Sequence, residues 1–169
     1  MRRLALAALL STAAAGPAAA ATFVATSVEE VARGSDAVLR GRVVDTASRA
    51  TRDGRIVTEV EVAVDAAWKG AAEPTVRVVV PGGRLPRLAM RVDAAPTFAA
   101  GEEVVVFVVR RGEAWHVNGL ALGKFAVVGG EARPSLGGAV VLPRALAVGE
   151  KRVGAMPVAE LERRVRAAR

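Results

Sequence analysis

Cysteine and tyrosine are both absent from the 169 residues, and His116 is the single histidine. Each absence removes a class of function. Without cysteine there is no disulfide framework, no thiolate zinc site, no cysteine nucleophile and no thioether-linked lipid anchor. One imidazole cannot complete a zinc site, which needs at least two more nitrogen or sulfur donors. The serines Ser27, Ser35, Ser48 and Ser135 lack a G-x-S-x-G setting, and neither Pro81-Gly82-Gly83 nor Leu136-Gly137-Gly138 has phosphate-loop spacing. No catalytic residue, metal ligand or cofactor is therefore assigned, and an enzyme is not expected.

Aromatic residues make up 4% of the chain, too few to interleave exposed rings with the basic ones, which argues against nucleic acid as the ligand. Lysine is confined to Lys69, Lys124 and Lys151, so nearly all the positive charge is arginine. A long hydrophobic run is missing too. Leu4–Leu10 is apolar, but Ser11, Thr12, Gly16 and Pro17 interrupt it well short of the roughly 18–20 residues that span a bilayer. With Arg2 and Arg3 before it and the A-x-A spacing of Ala18–Ala20 after it, residues 1–21 read as an export signal cleaved after Ala20 or Ala21. The expected product is a protein of the periplasm or extracellular space with no stable membrane insertion. Its formal charge of +7 becomes +5 once Arg2 and Arg3 leave.

What is present is a strand pattern. In Arg55–Val80 the even positions Ile56, Thr58, Val60, Val62, Val64, Ala66 and Trp68 face a core, while Glu59, Glu61, Asp65 and Lys69 face water. At about 3.3 Å per residue this strand would reach roughly 43 Å, so it must bend or coil. Lys69-Gly70 turns the chain into Val76, Val78 and Val80 inward, with Thr75 and Arg77 outward. Upstream, Ser27 and Glu30 have capping-box spacing for a short helix that Gly34 would close in the left-handed conformation. Ala37–Asp45 follows as a strand with Leu39, Gly41 and Val43 inward and Arg40 and Arg42 outward, and Asp53-Gly54 turns it into the long strand.

Pro81–Gly101 carries three prolines and sustains no alternation beyond a short strand at Leu88–Val92. Long irregular segments inside compact domains are often functional. This one holds Arg84, Arg87 and Arg91, the densest basic cluster outside the C-terminal helix. Glu103–Arg110 is apolar on both faces, as a strand covered on both sides would be. Ala114–Val117 forms a hairpin with it, placing Trp115 and Val117 inward and His116 on the surface. Asn118-Gly119 is a turn, Leu120–Val128 supplies one or two strands with Gly123 at a bulge or bend, and Ala139–Leu142 is a short edge strand. Pro157 opens a terminal helix over 157–168, with Val158, Leu161 and Val165 as its apolar stripe and Glu160–Arg164 and Glu162–Arg166 as i,i+4 pairs.

A short helix, then SDAVLRGRVVD, a long strand ending in AAWKG, VRVVVPGG, GEEVVVFV and a hairpin to GLALGKFAVV resembles, over roughly Ser27–Val128, the netrin-like modules. The tissue inhibitors of metalloproteinases are the best known of these. The nearer likeness is to small exported bacterial proteins of uncharacterised function with the same succession. The alternation in Arg55–Val80 and the doubly apolar Glu103–Arg110 predict an all-β fold, a closed or partly open antiparallel barrel of five to seven strands with a short N-terminal and a C-terminal helix. The resemblance implies that the barrel is OB-type. It would occupy residues 22–169 as one domain, with its core at about 27–143. It also implies one contact surface formed by the N-terminal segment and adjacent loops. Thr22, Phe23 and Val24 would lie there after cleavage, with Phe23 as the apolar anchor, beside Arg84, Arg87 and Arg91. Those inhibitors chelate zinc through an N-terminal cysteine, which this chain lacks, so inhibition by that route is not expected.

The leading expectation is thus an exported, non-catalytic module that binds an extracellular or envelope protein, with a protease as the class the resemblance suggests. The alternative is an anionic cell-wall or surface polymer held by Arg84, Arg87, Arg91, Arg110 and Arg111.

Overall fold

The computed structural model describes residues 21–71, 73–136 and 139–168. The expected export signal, apart from Ala21, lies outside the described residues. In chain order the elements are β1 (Thr22–Val24), α1 (Val28–Arg33), β2 (Ala37–Ala50), β3 (Ile56–Lys69), β4 (Thr75–Pro81), β5 (Gly83–Leu85) and β6 (Leu88–Met90). There follow β7 (Glu103–Arg111), β8 (Ala114–Val117), a 3-10 turn at Leu120–Gly123, β9 (Lys124–Val128), β10 (Glu131–Pro134), β11 (Val140–Leu142), β12 (Met156–Pro157) and α2 (Val158–Ala167). The fold is mostly β, as expected, with twelve strands in all among the described residues, several of them only two to four residues long. No described helix is long and apolar enough to cross a membrane.

Eight strands form one sheet in the order β12-β10-β9-β7-β2-β3-β4-β8, and β8 pairs with β7 as well as with β4. The antiparallel expectation needs one correction here: β4 and β8 run parallel, with Val78 opposite Trp115 and Val79 opposite His116. Two pairs stand apart, β1 with β11 in parallel and β5 with β6 in antiparallel.

Strand β7 explains why the sheet has two cores. Val104, Val106 and Val108 point into a valine-rich core with Leu39, Val60, Val62 and Val78, while Val105 and Phe107 point into a second core under the helices. This is the doubly apolar Glu103–Arg110 of the sequence. At about 1.5–3 kcal/mol per fully buried valine-sized side chain, each face contributes substantially.

The strict alternation of β3 does not survive to its end. Arg40 pairs with Ala66 and Gly41 with Val64, which skips Asp65; Leu39 pairs with Ala67 and Val38 with Lys69, which skips Trp68. Such bulges re-aim side chains. Val60, Val62, Val64 and Ala67 therefore pack into the valine core, whereas Ala66 and Trp68 pack into the helix-side core. Trp68 is buried as expected, at 1% exposure, but in the other core from Val60.

The helices are fastened locally. The Glu30 amide donates to Ser27 Oγ at 3.0 Å, which caps α1. The expected reciprocal bond is replaced, since the Glu30 carboxylate accepts from Thr26 Oγ1 at 2.7 Å and pairs with Arg144. Gly34 ends α1 at φ −77°, not in the left-handed region. On α2, Val158, Leu161 and Val165 are buried as the stripe predicts, and Pro157 is the cap residue rather than the first helical one. Arg164 reaches Glu160 at 2.9 Å and Glu29 of α1 at 2.8 Å, joining the two helices.

Candidate functional site

The Pro81–Gly101 segment is anchored at both ends and open between them. At its start the Gly82 amide donates to the Ile56 carbonyl at 2.8 Å, Thr58 Oγ1 donates to the Gly82 carbonyl at 2.8 Å, and the Arg84 amide donates to Ser48 Oγ at 3.2 Å. Gly83, at φ +147°, lies so close to β2 and β3 that a Cβ would come within 2.4 Å of Ser48 Oγ and 2.5 Å of Thr58 Oγ1. The close approach and the backbone angle together require glycine. From this base the chain makes the β5–β6 hairpin, more regular than the lone strand expected at Leu88–Val92.

At the other end the Gly101 amide donates to the Val43 carbonyl at 2.8 Å. Glu102 forms an ion pair with Lys124, whose ammonium also sits 5.1 Å from the Phe98 ring centre. The second Glu102 oxygen accepts from the Ala99 amide at 3.2 Å.

Two cavities flank this segment. One, of about 680 Å³, is lined by Arg84, Met90, Arg91, Ala94 and Phe98 among others. The second, of about 600 Å³, has Arg55, Ile56, Met90, Arg111, His116 and Leu120 in its wall. Val80, Pro81, Met90, Val92 and Pro96 belong to both, so the end of β4 and the Met90–Pro96 stretch form the wall between them. Across that divide the Ala121 amide donates to the Ala94 carbonyl at 2.9 Å. Ala94, at φ 60°, and Leu120, at φ 54°, are the only non-glycine residues with positive φ among the described residues. Backbone strain of this kind concentrates at binding clamps and costs roughly 1–3 kcal/mol per residue.

The electrostatics of the two cavities are one-sided. Arg84, Arg87, Arg91 and Arg111 are exposed, and none is within ion-pair distance of a carboxylate among the described residues. Arg84 and Arg91 share the first cavity, Arg111 stands at the second, and Arg87 is at the hairpin turn. Arg110 does not join them: its guanidinium lies over the Trp115 ring, 5.1 Å from the centroid. Arg55, in the second cavity, is already paired with Asp53 at 2.8 Å.

His116 departs from the surface position expected of it. It is half-buried in the wall of the second cavity, and burial first, then the charge of Arg111, holds its pKa below the usual histidine value of 6.5. The alternation around Trp115 could not reveal this, because the wall is completed by distant segments. Trp115 packs against the valine core and is only half-buried. No group of three or more His, Asp or Glu side chains able to hold a metal occurs among the described residues.

The N-terminal candidates lie on a different support. Phe23 packs against the helix-side core, while Thr22 and Val24 are exposed, Val24 at 56%. In the parallel pairing with β11, Thr22 stands opposite Val140 and Val24 opposite Leu142. Val24, Val140 and Leu142 thereby make a short exposed apolar row. The hydrogen bonds of this segment go to β11 and to Val153, which donates to the Thr26 carbonyl at 3.0 Å, not to Pro81–Gly101.

No protein-family model matches the chain, and a comparison with curated proteins finds no match either.

Proposed function

We propose that the chain is an exported, non-catalytic binding module that holds an anionic cell-wall or surface polymer along the face formed by the two cavities. The observation that carries this reading is the convergence of Arg84, Arg91 and Arg111, all without acidic partners among the described residues, on two adjoining cavities that share wall residues from β4 and from Met90–Pro96. Unpaired guanidiniums present fixed donor forks to carboxylate, sulfate or phosphate groups, and a repeating polyanion can engage several at once.

The scaffold in this reading is a closed OB-type barrel of the netrin-like kind, made from β2, β3, β4, β7 and β8. Its support is the circuit of pairings, in which β8 bonds to both β4 and β7. In OB barrels the face of the second and third strands, with the loops at its margin, takes extended polymers. The second cavity, lined by Ile56 and Val57 of β3, Val79 of β4, Arg55 of the β2–β3 turn and Arg111 at the end of β7, would be that face in this reading.

Chromatography on immobilised heparin tests the reading. The chain should be retained and elute as salt shortens the screening length. Loss of retention below about 150 mM salt would reduce the interaction to nonspecific charge.

A second reading keeps the protein partner. The row Val24, Val140 and Leu142 favours it, because exposed apolar side chains on a short strand pair suit a protein contact. Val24, rather than the packed Phe23, is then the anchor. Capture of one partner by the wild type and its loss with Val24→Asp would support this reading; equal capture by both proteins would remove it.

A further inference from the structure

We propose that the β5–β6 hairpin is a reversible docking element for anionic lipid bilayers, with Leu88 entering the interface and Arg84, Arg87 and Arg91 meeting the headgroup phosphates. The inference rests on the anion-binding reading above and narrows its source to a lipid surface at this one element.

Three observations meet at the hairpin. Leu88, opposite Leu85 beside the two-residue turn Pro86-Arg87, is 58% exposed although it is one of the larger apolar side chains of the chain. The sequence from Gly82 to Val92 contains Arg84, Arg87 and Arg91 and no acidic residue. The base is fixed, through Gly82 to Ile56 and Arg84 to Ser48, with no space for a Cβ at Gly83, so the tip is presented rather than free to fold back.

A soluble polyanion would be served by the three guanidiniums alone. The exposed leucine at the tip, set among three arginines, adds the apolar contact that suits the boundary between headgroups and acyl chains. Arginine stems can lie along that boundary while the guanidiniums stay at phosphate level. One leucine is too little for permanent anchoring, so binding is reversible and depends on anionic lipid and on low salt.

The chain from Thr22 onward contains every strand and helix described and is the form to test. It is sedimented with vesicles of phosphatidylcholine alone or with about 30% phosphatidylglycerol, within the range that makes a leaflet surface negative. Wild type should bind the mixed vesicles and not the neutral ones. Leu88→Ser should bind the mixed vesicles about tenfold more weakly while its retention on heparin stays unchanged. Leu88→Trp should show a blue shift in emission with mixed vesicles and none with heparin. If Leu88→Ser partitions like wild type, or the tryptophan at the tip shows no shift on bound vesicles, the leucine does not enter a bilayer and the inference is overturned. Heparin retention of the same variants judges the polymer reading separately. Equal binding to neutral vesicles would also overturn the inference.

Discussion

Lys124 is 2% exposed and forms an ion pair with Glu102, the residue that ends the long segment between β6 and β7. The two partners are unequal. Glu102 keeps some access to water and can be left charged without its partner, whereas a buried ammonium without a carboxylate has nowhere to be solvated. Glu102→Gln should therefore destabilise the fold by about 2–4 kcal/mol, and Lys124→Met by clearly less. Urea denaturation checks this: the Glu102→Gln midpoint should fall further, with an unchanged slope. Equal losses for both variants would contradict the unequal burial.

Gly123 gives a second, steric prediction. A Cβ there would stand 1.9 Å from the Asn118 carbonyl oxygen, so the 3-10 turn can pass under Asn118 only with glycine. Gly123→Ala should lower stability by more than about 2 kcal/mol, in the range of strained core substitutions. Gly112→Ala is a useful contrast, because at φ 62° it meets no neighbour within 4 Å. Its cost should be the smaller one of backbone conformation alone, about 1 kcal/mol.

The two tryptophans should be distinguishable by emission. Trp68 is enclosed in the helix-side core, and Trp115 is half-buried beneath the Arg110 guanidinium. Native Trp115→Phe should emit further to the blue than native Trp68→Phe, and both should shift red on unfolding. A red-shifted native Trp115→Phe would show that Trp68 is not enclosed.

His116 makes the fold pH-dependent in a defined direction. Its pKa in the folded chain is lower than the unfolded value of 6.5, so above 6.5 both states are neutral and the full stability is present. As pH falls below 6.5 the unfolded chain takes up a proton first, and stability declines until the folded pKa is passed. Because it is the only histidine, His116→Gln should flatten the urea midpoint between pH 6.5 and about 5.5, above the ordinary carboxylate range. An unchanged slope in the variant would place the titration elsewhere.

Local periodicity carried much of the fold. Alternation marked β3 through Val64, the two-sided apolar run marked β7, and the spacing of Val158, Leu161 and Val165 marked the buried face of α2. What escaped depends on partners distant in sequence. The bulges that turn Trp68 to the other core arise from the register between β2 and β3, which alternation within one strand does not contain. The parallel contact of β4 with β8 joins segments some 35 residues apart, and no turn residue announces it.

Strand β10 is only four residues and includes Pro134, so it gives too short a pattern to read. For the site, the basic residues were legible as a cluster in Pro81–Gly101. Their division between two cavities, the removal of Arg110 to Trp115 and the entry of His116 into a wall were not, because each is a relation in space.

The central claim is that position, not total charge, makes this chain bind polyanions. The direct test compares Arg84→Ser/Arg91→Ser/Arg111→Ser with Arg133→Ser/Arg152→Ser/Arg163→Ser, exposed arginines elsewhere on the surface, on immobilised heparin over a salt gradient. The two variants have the same net charge. The account predicts near-wild-type elution for the second and loss of most retention for the first, with thermal unfolding unchanged in both; identical elution of the two would contradict it.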